Sequence, residues 1–532
     1  MYREEKIWMG NNDAGQPVYI VPKMANRHGL VAGATGTGKT VTLKVMAETF
    51  SEMGVPVFMA DVKGDIAGIM NPGTDSEDMQ ERIRRFGLAD HGFEYQGFPV
   101  NLWDIYGQKG IQLRTTVSEM GPLLLSRILD LNELQSDILT IVFKIADDNG
   151  LLLTDTKDLK AMLAWVDESR DELQAEYGKI SSASIGVITR AVVALETAGG
   201  DTFFGEPALT VFDWMAQDNG KGVINILDSS SLINNGKLYS TFLLWLLSEL
   251  FENLPEVGDL DKPKMVFLFD EAHLLFNDAP KALLEKIEQV VKLIRSKGVG
   301  VYFCTQNPKD IPDGVLAQLS NKIEHGLRAY TPADQKAVRA AADSFRENPE
   351  FDTYETILNL GTGEAVVSFL GEDGIPCMAE KVAILPPRCS FGAVSDSERD
   401  QKIKGSILYS KYAVAVDPDS AYEFLQRKGL EAQQAADEAA AQAEADKEAA
   451  KAEKEAAKAA EKAEKEKLKA MEKEERARKQ EIKKVGNTVM GTVGREVGKT
   501  LGSNFGSFGR KLGGNFGAQL FRGIFGTYIS KK

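Results

Sequence analysis

The stretch Gly33-Ala34-Thr35-Gly36-Thr37-Gly38-Lys39-Thr40 decides the fold of this 532-residue chain. It satisfies the pattern G-x-x-x-x-G-K-[ST] at every fixed position. The apolar run 29–32 before it predicts a short buried strand, and residues 41–48 after it have the spacing of a helix. A strand, a glycine-rich loop and a helix in this order predict a phosphate-binding loop rather than a turn that matches by chance.

The residue types in this loop suit a nucleotide with a phosphate chain. Glycines let successive backbone N–H groups turn toward the phosphates, and the positive end of the following helix adds to the attraction. We expect residues Gly33 to Val41 to form the binding loop, with Lys39 reaching the β and γ phosphates of ATP. The Thr40 hydroxyl is then a ligand of Mg²⁺.

Composition disfavours several other classes of protein. The chain is 43% hydrophobic, which is enough for a large core and for about two or three domains. Its first residues lack the apolar region of a secretory signal, and its three scattered cysteines predict neither a disulfide framework nor a zinc site. The longest apolar stretch, 238–251, is shorter than a membrane span and predicts a buried core helix. We therefore expect a cytoplasmic protein.

The net charge of −15 is unevenly distributed along the chain. Residues 483–532 contain nine basic residues and one acidic residue, so the excess of acid lies in the body that precedes them. An acidic body has no general affinity for nucleic acid, and any such binding must use a local basic surface.

A pair of acids follows a second apolar run. Residues 265–269 are all apolar, as expected for a parallel strand buried on both faces, and they lead into Asp270 and Glu271. Beside a phosphate-binding loop, Asp270 is expected to hold the Mg²⁺ shell, and Glu271 to orient and deprotonate the attacking water. The alternative is an apolar strand that ends in two acids by chance.

Further candidate residues lie near the ends of neighbouring strands. Gln306 follows the apolar run 298–304, where a polar side chain can sense the γ-phosphate, although an ordinary turn would also explain it. Arg295 lies just before that run, and Arg328 ends the next predicted strand. Both arginines are candidates to neutralise charge in the transition state, and the alternative for each is a surface ion pair.

The loop after the predicted strand 55–60 carries two more acids, Asp61 and Asp65. It leaves the carboxyl edge of the sheet, where ligands of α/β proteins bind. Either carboxylate is a candidate to position metal or water, and the alternative is that it caps the next element.

The remaining pattern predicts an α/β P-loop NTPase fold with a mostly parallel sheet. Residues 1–28 are expected to add a hairpin or a strand to it. Between residues 111 and 200, apolar side chains recur at helical intervals and strand signals are absent. We therefore divide the body into a first core segment, an inserted helical subdomain and a second core segment, at 1–110, 111–200 and 201–430.

The C-terminal residues have a different composition. Residues 431–482 are nearly all Ala, Glu, Lys, Gln and Asp, which favours a solvated helical spacer over a tight coiled coil. Residues 483–532 are basic, with glycines at spacings of four that permit close approach between helices. Self-association, attachment to an anionic membrane surface, contact with DNA phosphates and a flexible tail all stay open as interpretations.

With these motifs in place, the chain resembles the HerA/FtsK superfamily of ring ATPases. More narrowly, it resembles the bacterial HerA-like YjgR family. The resemblance extends over about residues 5–430 and is most specific at 33–40, 267–276 and 300–330. It implies a homohexameric ring that binds ATP and Mg²⁺ between subunits and translocates double-stranded DNA.

The same resemblance implies roles for individual residues. Lys39, Thr40, Asp270, Glu271 and Gln306 would act within one subunit. Arg295 would be the arginine finger that acts on the neighbouring subunit's nucleotide, and Arg328 a second contact to phosphate.

One departure from the family concerns a partner. Archaeal HerA helicases carry a β-barrel that couples them to a nuclease, and only 32 residues precede Gly33 here, so we do not expect a nuclease partner. The rival function is an assembly switched by ATP, or a membrane-associated module, that does not translocate DNA.

Overall fold

The computed structural model describes residues 1–232, 236–277 and 281–485. The chain divides into two compact units, Met1–Gln434 and Ala435–Lys532. The first unit contains every strand of the described residues and most of the helices.

The strands are β1 (Tyr2–Arg3), β2 (Lys6–Asn12), β3 (Pro17–Ile20), β4 (Gly29–Ala32), β5 (Val57–Asp61), β6 (Val100–Asp104), β7 (Ile111–Gln112), β8 (Gln217–Asp218), β9 (Lys221–Gly222), β10 (Ile224–Asp228), β11 (Met265–Phe269), β12 (Val299–Thr305), β13 (Asn321–His325), β14 (Glu364–Ser368) and β15 (Glu380–Ile384). The helices are α1 (Lys39–Glu52), α2 (Glu77–Phe86), α3 (Val117–Ile128), α4 (Glu133–Asp148), α5 (Thr156–Glu168), α6 (Arg170–Tyr177), α7 (Ser182–Thr197), α8 (Gly200–Phe203), α9 (Gly236–Asn253), α10 (His273–Phe276), α11 (Lys281–Ile294), α12 (Asp313–Leu316), α13 (Pro332–Asp343), α14 (Thr353–Asn359), α15 (Asp396–Gly405), α16 (Tyr409–Tyr412) and α17 (Ala421–Val485). Short 3-10 helices connect several of these elements.

Thirteen strands form one sheet in the order β1-β2-β15-β14-β13-β4-β12-β11-β5-β10-β6-β7, with β3 paired to β2. The strands from β13 to β7 are parallel to one another. The strands β14, β15, β2, β1 and β3 continue the sheet in antiparallel pairs. The predicted α/β class with a mostly parallel sheet is confirmed, and residues 1–28 add a hairpin to it as expected.

The register of the parallel strands brings four strand ends to one edge. β4 pairs with β12 so that Ala32 lies opposite Thr305, and β11 pairs with β12 so that Phe269 lies opposite Phe303. On its other side, β11 pairs with β5, which places Phe269 opposite Ala60. Because parallel strands end at the same edge, the segments after β4, β5, β11 and β12 are neighbours there.

The helices cover the sheet and build the core. α1 lies against the sheet with eleven of its residues buried, and α9 is apolar and buried along most of its length. Residues 117–203 are helical, from α3 to α8, as their periodicity predicts. Several of these helices begin with side-chain caps, in which Thr116, Asn132 and Asp155 each accept the backbone N–H three residues later.

The long helix α17 begins at Ala421 and extends to Val485. Its side chains from residue 431 to residue 478 are exposed, in agreement with the expected solvated spacer. Of the predicted basic tail 483–532, all but the first three residues lie outside the described part of the chain.

No single helix within residues 1–232, 236–277 and 281–485 is both long and apolar enough to cross a bilayer. The helices α6 and α7 are long and apolar enough only when they are taken together, and they are bent by 101° to each other.

Candidate nucleotide-binding and catalytic site

The loop between β4 and α1 adopts a conformation that requires glycine. Gly33 has φ 148°, and a Cβ there would lie 2.5 Å from the Cβ of His325. Gly38, the residue just before α1, has φ 116°, and a Cβ there would lie 3.2 Å from the backbone nitrogen of Gly363. The fixed glycines of the motif therefore provide both left-handed backbone conformation and close approach.

Contacts to two other segments hold this loop and the start of α1 in place. The Ala34 N–H donates to the Gly326 carbonyl at 2.9 Å, just beyond the end of β13. The Gly363 N–H donates to the Thr37 carbonyl at 2.9 Å. His325 contacts the Thr42 hydroxyl through Nε2 at 2.9 Å. The loop is thus positioned by strand β13 and by the turn before β14, segments distant in sequence.

Lys39 is buried and its ammonium is bonded to the loop itself. Its Nζ donates to the carbonyl oxygens of Gly33 at 2.6 Å and Ala34 at 3.0 Å, and the residue is 6% exposed. These acceptors are neutral, so a phosphate chain is a stronger partner for the charge. Thr40 and Val41, in the first turn of α1, are half-buried.

Asp270 has the environment expected of a metal ligand. It is 2% exposed, and its Oδ1 accepts the N–H of Glu271 at 2.9 Å. Its Oδ2 is buried without a hydrogen-bond partner among the described residues. Burial raises the pKa of this carboxyl, while Lys63 opposes the increase. A buried carboxylate oxygen with an unused acceptor, together with the Thr40 hydroxyl, fits the hard oxygen ligands that Mg²⁺ takes beside substrate phosphates.

No larger metal cluster accompanies it within the described ranges, where no group of three or more His, Cys, Asp or Glu residues could hold a metal ion. A Mg²⁺ ion bound by one carboxylate and one hydroxyl therefore needs phosphate oxygens and water to complete its shell.

Glu271 lies at the start of the turn after β11 in an uncommon conformation. Its φ is 46°, in the left-handed region that non-glycine residues rarely adopt. The residue is 4% exposed. Burial acts to raise the pKa of Glu271, but the hydrogen bond and charge of Lys63 hold it below its usual value. Strain of this kind is often found at functional sites, and here it aims a carboxylate along the edge that carries the phosphate-binding loop.

Gln306 joins the two predicted motifs. Its Nε2 donates to both carboxylate oxygens of Glu271, at 3.2 and 3.3 Å, and its Oε1 accepts the Thr35 hydroxyl at 3.2 Å. One amide therefore connects the acidic strand end to the phosphate-binding loop. Gln306 thus lies beside the loop that is predicted to bind the phosphates.

Lys63 is the residue at this site that the sequence analysis missed. Its Nζ lies 2.7 Å from Glu271 Oε1, and its side chain is 41% exposed. The signal was its place in the loop after β5, the strand next to β11. Our interpretation of that loop considered only its acids as candidates.

Asp61 caps the element that follows it, which is the second of the two roles predicted for it from the sequence. Its Oδ1 accepts the Gly64 N–H at 2.7 Å, and its Oδ2 accepts the Ile66 N–H at 3.0 Å. Burial raises the pKa of this carboxyl to about 6. Because both oxygens are used by the backbone, Asp61 shapes the loop that carries Lys63.

The two predicted arginines lie at opposite edges of the sheet. Arg328 is exposed just beyond β13, and its Nη1 donates to the Leu358 carbonyl at 3.4 Å. Arg295 precedes β12, at the amino edge. Burial lowers the pKa of His28 there, and the charge of Arg295 adds a smaller contribution in the same direction. The seven residues of β12 place Arg295 about 20 Å from the phosphate-binding loop. Of these two arginines, therefore, only Arg328 lies at the edge of the sheet that carries the site of its own chain.

Comparisons with known proteins identify the relatives of this chain. The model of the family described as "Helicase HerA-like C-terminal" matches residues 6–513. The DNA double-strand break repair helicase HerA of Sulfurisphaera tokodaii is 25% identical over 354 residues, which are 64% of this chain and 62% of that protein. The helicase of the same name from Sulfolobus acidocaldarius is 22% identical over 352 residues, again 64% and 62%. The chain thus spans less than two thirds of the length of these relatives.

Among solved structures, the plasmid coupling protein TrwB in complex with ADP and Mg²⁺ is similar, with a TM-score of 0.49 and 17% sequence identity. The similar region covers 73% of this chain and 91% of TrwB.

Proposed function

Because the chain belongs to the HerA-like C-terminal helicase family, we propose that it is a Mg²⁺-dependent ATPase that moves or remodels double-stranded DNA. One observation carries the ATPase part. The phosphate-binding loop, the buried Asp270 and the base Glu271 meet at one edge of the sheet, and Gln306 bonds both the loop and the base.

Binding begins at the loop 33–40. Its backbone N–H groups and the start of α1 surround the phosphates, and Lys39 exchanges its two carbonyl partners for phosphate oxygens. Thr40 and Asp270 would hold Mg²⁺, which supplies charge neutralisation at the β and γ phosphates. The charge of Lys39 then lies where negative charge develops in the transition state.

Hydrolysis follows from the position of Glu271. The carboxylate orients a water molecule and accepts its proton as the water oxygen attacks the γ-phosphorus. The bond between the γ-phosphorus and the β,γ-bridging oxygen breaks, and ADP and inorganic phosphate leave. Gln306 senses the γ-phosphate through its bond to Thr35 and steadies the base through its two bonds to Glu271.

Two further parts of the proposal are the ring and the DNA substrate. The family supports both, and the placement of the arginines supports the ring. We propose a homohexamer in which Arg295 acts on the nucleotide of the neighbouring subunit. Arg295 lies about 20 Å from the phosphate-binding loop of its own chain, which supports a role at the neighbouring subunit's nucleotide. Arg328 is the candidate for a phosphate contact within the chain. The relatives' printed names, which describe DNA repair helicases, support DNA as the polymer.

The test compares the wild-type protein with Glu271→Gln, with and without duplex DNA. We expect duplex DNA to stimulate ATP hydrolysis by the wild-type protein, and binding to DNA to weaken as salt rises. Glu271→Gln should bind ATP and lower the hydrolysis rate by about 10² to 10⁴, the usual contribution of a general base. Normal hydrolysis by this variant would remove Glu271 from the mechanism. A lack of stimulation and of salt-sensitive binding would refute the DNA part.

The rival proposal is an assembly switched by ATP, or a membrane-associated module anchored by the residues after 482, that does not translocate DNA. The net charge of −15 favours it, because an acidic body repels phosphate. A truncation after Leu430 distinguishes the two. Loss of membrane or partner association with intact DNA-dependent hydrolysis would assign the two activities to different segments.

Two finer assignments belong to this proposal: a cytoplasmic location and membership of the YjgR family. Electron microscopy with a non-hydrolysable nucleotide would examine the ring and its pore directly. A pore too narrow for duplex DNA would favour the rival.

A further inference from the structure

Lys63 makes the shortest contact to the carboxylate of the base Glu271. Its Nζ lies 2.7 Å from Oε1, and Gln306 Nε2 donates to both oxygens at 3.2 and 3.3 Å. The Nδ1 of His273 lies 3.4 Å from Oε2 and makes no hydrogen bond within the described residues. Because the ammonium of Lys63 occupies an acceptor position of Oε1, its departure would open that position to a water molecule.

Lys63 is the partner best placed to leave. Its backbone is held in place, because Asp61 before it accepts the N–H groups of Gly64 and Ile66 after it. Its side chain is 41% exposed, whereas that of Glu271 is 6% exposed. A change of side-chain rotamer can therefore move the ammonium without moving the loop.

The γ-phosphate of a bound nucleotide would attract the ammonium of Lys63. The γ-phosphate enters beside Gln306, whose amide bonds Thr35 of the phosphate-binding loop and Glu271 at once. A terminal phosphate carries more negative charge than one carboxylate and offers more acceptor oxygens. It would also repel an uncompensated Glu271 nearby.

We propose that Lys63 binds the γ-phosphate of ATP and that, before nucleotide enters, the same ammonium caps the base Glu271. Binding of ATP then transfers Lys63 from the carboxylate to the phosphate, which frees Oε1 to accept a hydrogen bond from the attacking water. ADP lacks the γ-phosphate and leaves the cap in place. This inference rests on the proposed ATPase function of the same site.

The experiment measures the affinity of the full-length chain for Mg²⁺-ADP and for the Mg²⁺ complex of a non-hydrolysable ATP analogue. Lys63→Met should weaken binding of the analogue about tenfold, as expected for one charge-assisted hydrogen bond, and leave ADP binding unchanged. Lys63→Arg keeps the charge and should restore most of the loss. Lys309→Met removes an exposed lysine that follows Gln306 and should change neither affinity.

A double-variant cycle tests the cap itself. Glu271→Gln removes the ionic partner of Lys63, so the analogue should bind several-fold more tightly while ADP binds as before. That gain should vanish in Lys63→Met/Glu271→Gln, because no ammonium is left to transfer.

The outcomes separate the two proposals. If the wild-type chain binds neither nucleotide, the proposed function fails. If it binds both and Lys63→Met weakens them equally or not at all, the ATPase proposal stands and the role of Lys63 is refuted. A gain that persists in the double variant would show that Glu271 acts without Lys63.

Discussion

Two lysines of helix α1 are both buried, yet they differ in what surrounds their charge. Lys39 is 6% exposed and Lys44 is 1% exposed, and each donates only to backbone carbonyls in the described hydrogen bonds. The carbonyls around Lys39 belong to its own loop, at Gly33 and Ala34. Those around Lys44 belong to distant segments, at Asp65, Ser390 and Phe391, at distances from 2.8 to 3.1 Å.

The two lysines therefore differ in function. The charge of Lys39 is available to a ligand, whereas the charge of Lys44 stabilises the fold. The partners of Lys39 are near in sequence, so the loop can exchange them for phosphate without loss of tertiary contacts. Lys44 instead ties two remote segments to α1. Glu48, one turn later, acts in the same way, since its carboxylate accepts the N–H groups of Arg388 and Cys389 at 2.9 to 3.1 Å.

The largest effect is expected from removing the charge that holds the fold. Lys44→Met keeps the length of the side chain but leaves three carbonyls without their donor, which should lower the free energy of unfolding by about 3 kcal/mol. Chemical denaturation measures it. The control Lys336→Met removes an exposed lysine on α13 and should change stability by less than about 0.5 kcal/mol. If the two variants were equally stable, Lys44 would not carry the contact we assign to it.

A somewhat smaller effect, on ATP binding rather than on stability, is expected from the substitution of Lys39. Lys39→Met should weaken ATP binding about a hundredfold, roughly 3 kcal/mol or slightly less, because charge-assisted bonds to phosphate are lost. Its free energy of unfolding should change by less than about 1 kcal/mol, since only the loop's own carbonyls lose a partner. Titration with nucleotide and denaturation of the same sample check both. A variant that bound ATP normally, or that unfolded as easily as Lys44→Met, would remove the contrast between the two lysines.

The smallest effect concerns the histidine that supports the loop, His325. Burial lowers its pKa to about 4 from an ordinary value of 6.5. Between these two pH values, the unfolded chain therefore binds a proton that the folded chain does not bind. The contribution of His325 to stability is therefore complete above pH 6.5 and is lost as pH falls toward 4. The stability difference between the wild-type protein and His325→Gln should shrink by about 2 kcal/mol between pH 7.5 and 4.5.

Denaturation at several pH values measures this difference, and the subtraction removes other groups that titrate, such as Asp61. His91→Gln replaces an exposed histidine and serves as the control. A wild-type minus His325→Gln difference that stayed constant with pH would mean that His325 is not held neutral beside the loop.

Sequence patterns were sufficient where they were local. The strands β4, β5, β10, β11 and β12 coincide with apolar runs, and the loop 33–40 has a fixed spacing, so their positions could be predicted. The strands β14 and β15 were missed. Their antiparallel pairing depends on partners far away in sequence, such as Ile323 with Val367 and Val382 with Asn12. Pairing of this kind leaves little trace in a single segment.

The same distinction applies to the site. Asp270, Glu271 and Gln306 could be predicted to lie at one edge of the sheet because each follows a recognisable strand. Lys63 was missed because a lysine in a short polar loop resembles many solvated lysines, and only the pairing of β5 with β11 brings it to Glu271. Arg295 and Arg328 looked equivalent in the sequence, yet the direction of the strands puts them at opposite edges.

The sequence by itself determined that the chain has a phosphate-binding loop, a buried acidic strand end and a solvated helical extension, because spacing and composition act within a few turns of the chain. Only the tertiary structure decided which side chains share the site and which buried charges are free to change partners. Those properties depend on strand order and on the distance between partners along the chain, and a local pattern contains neither.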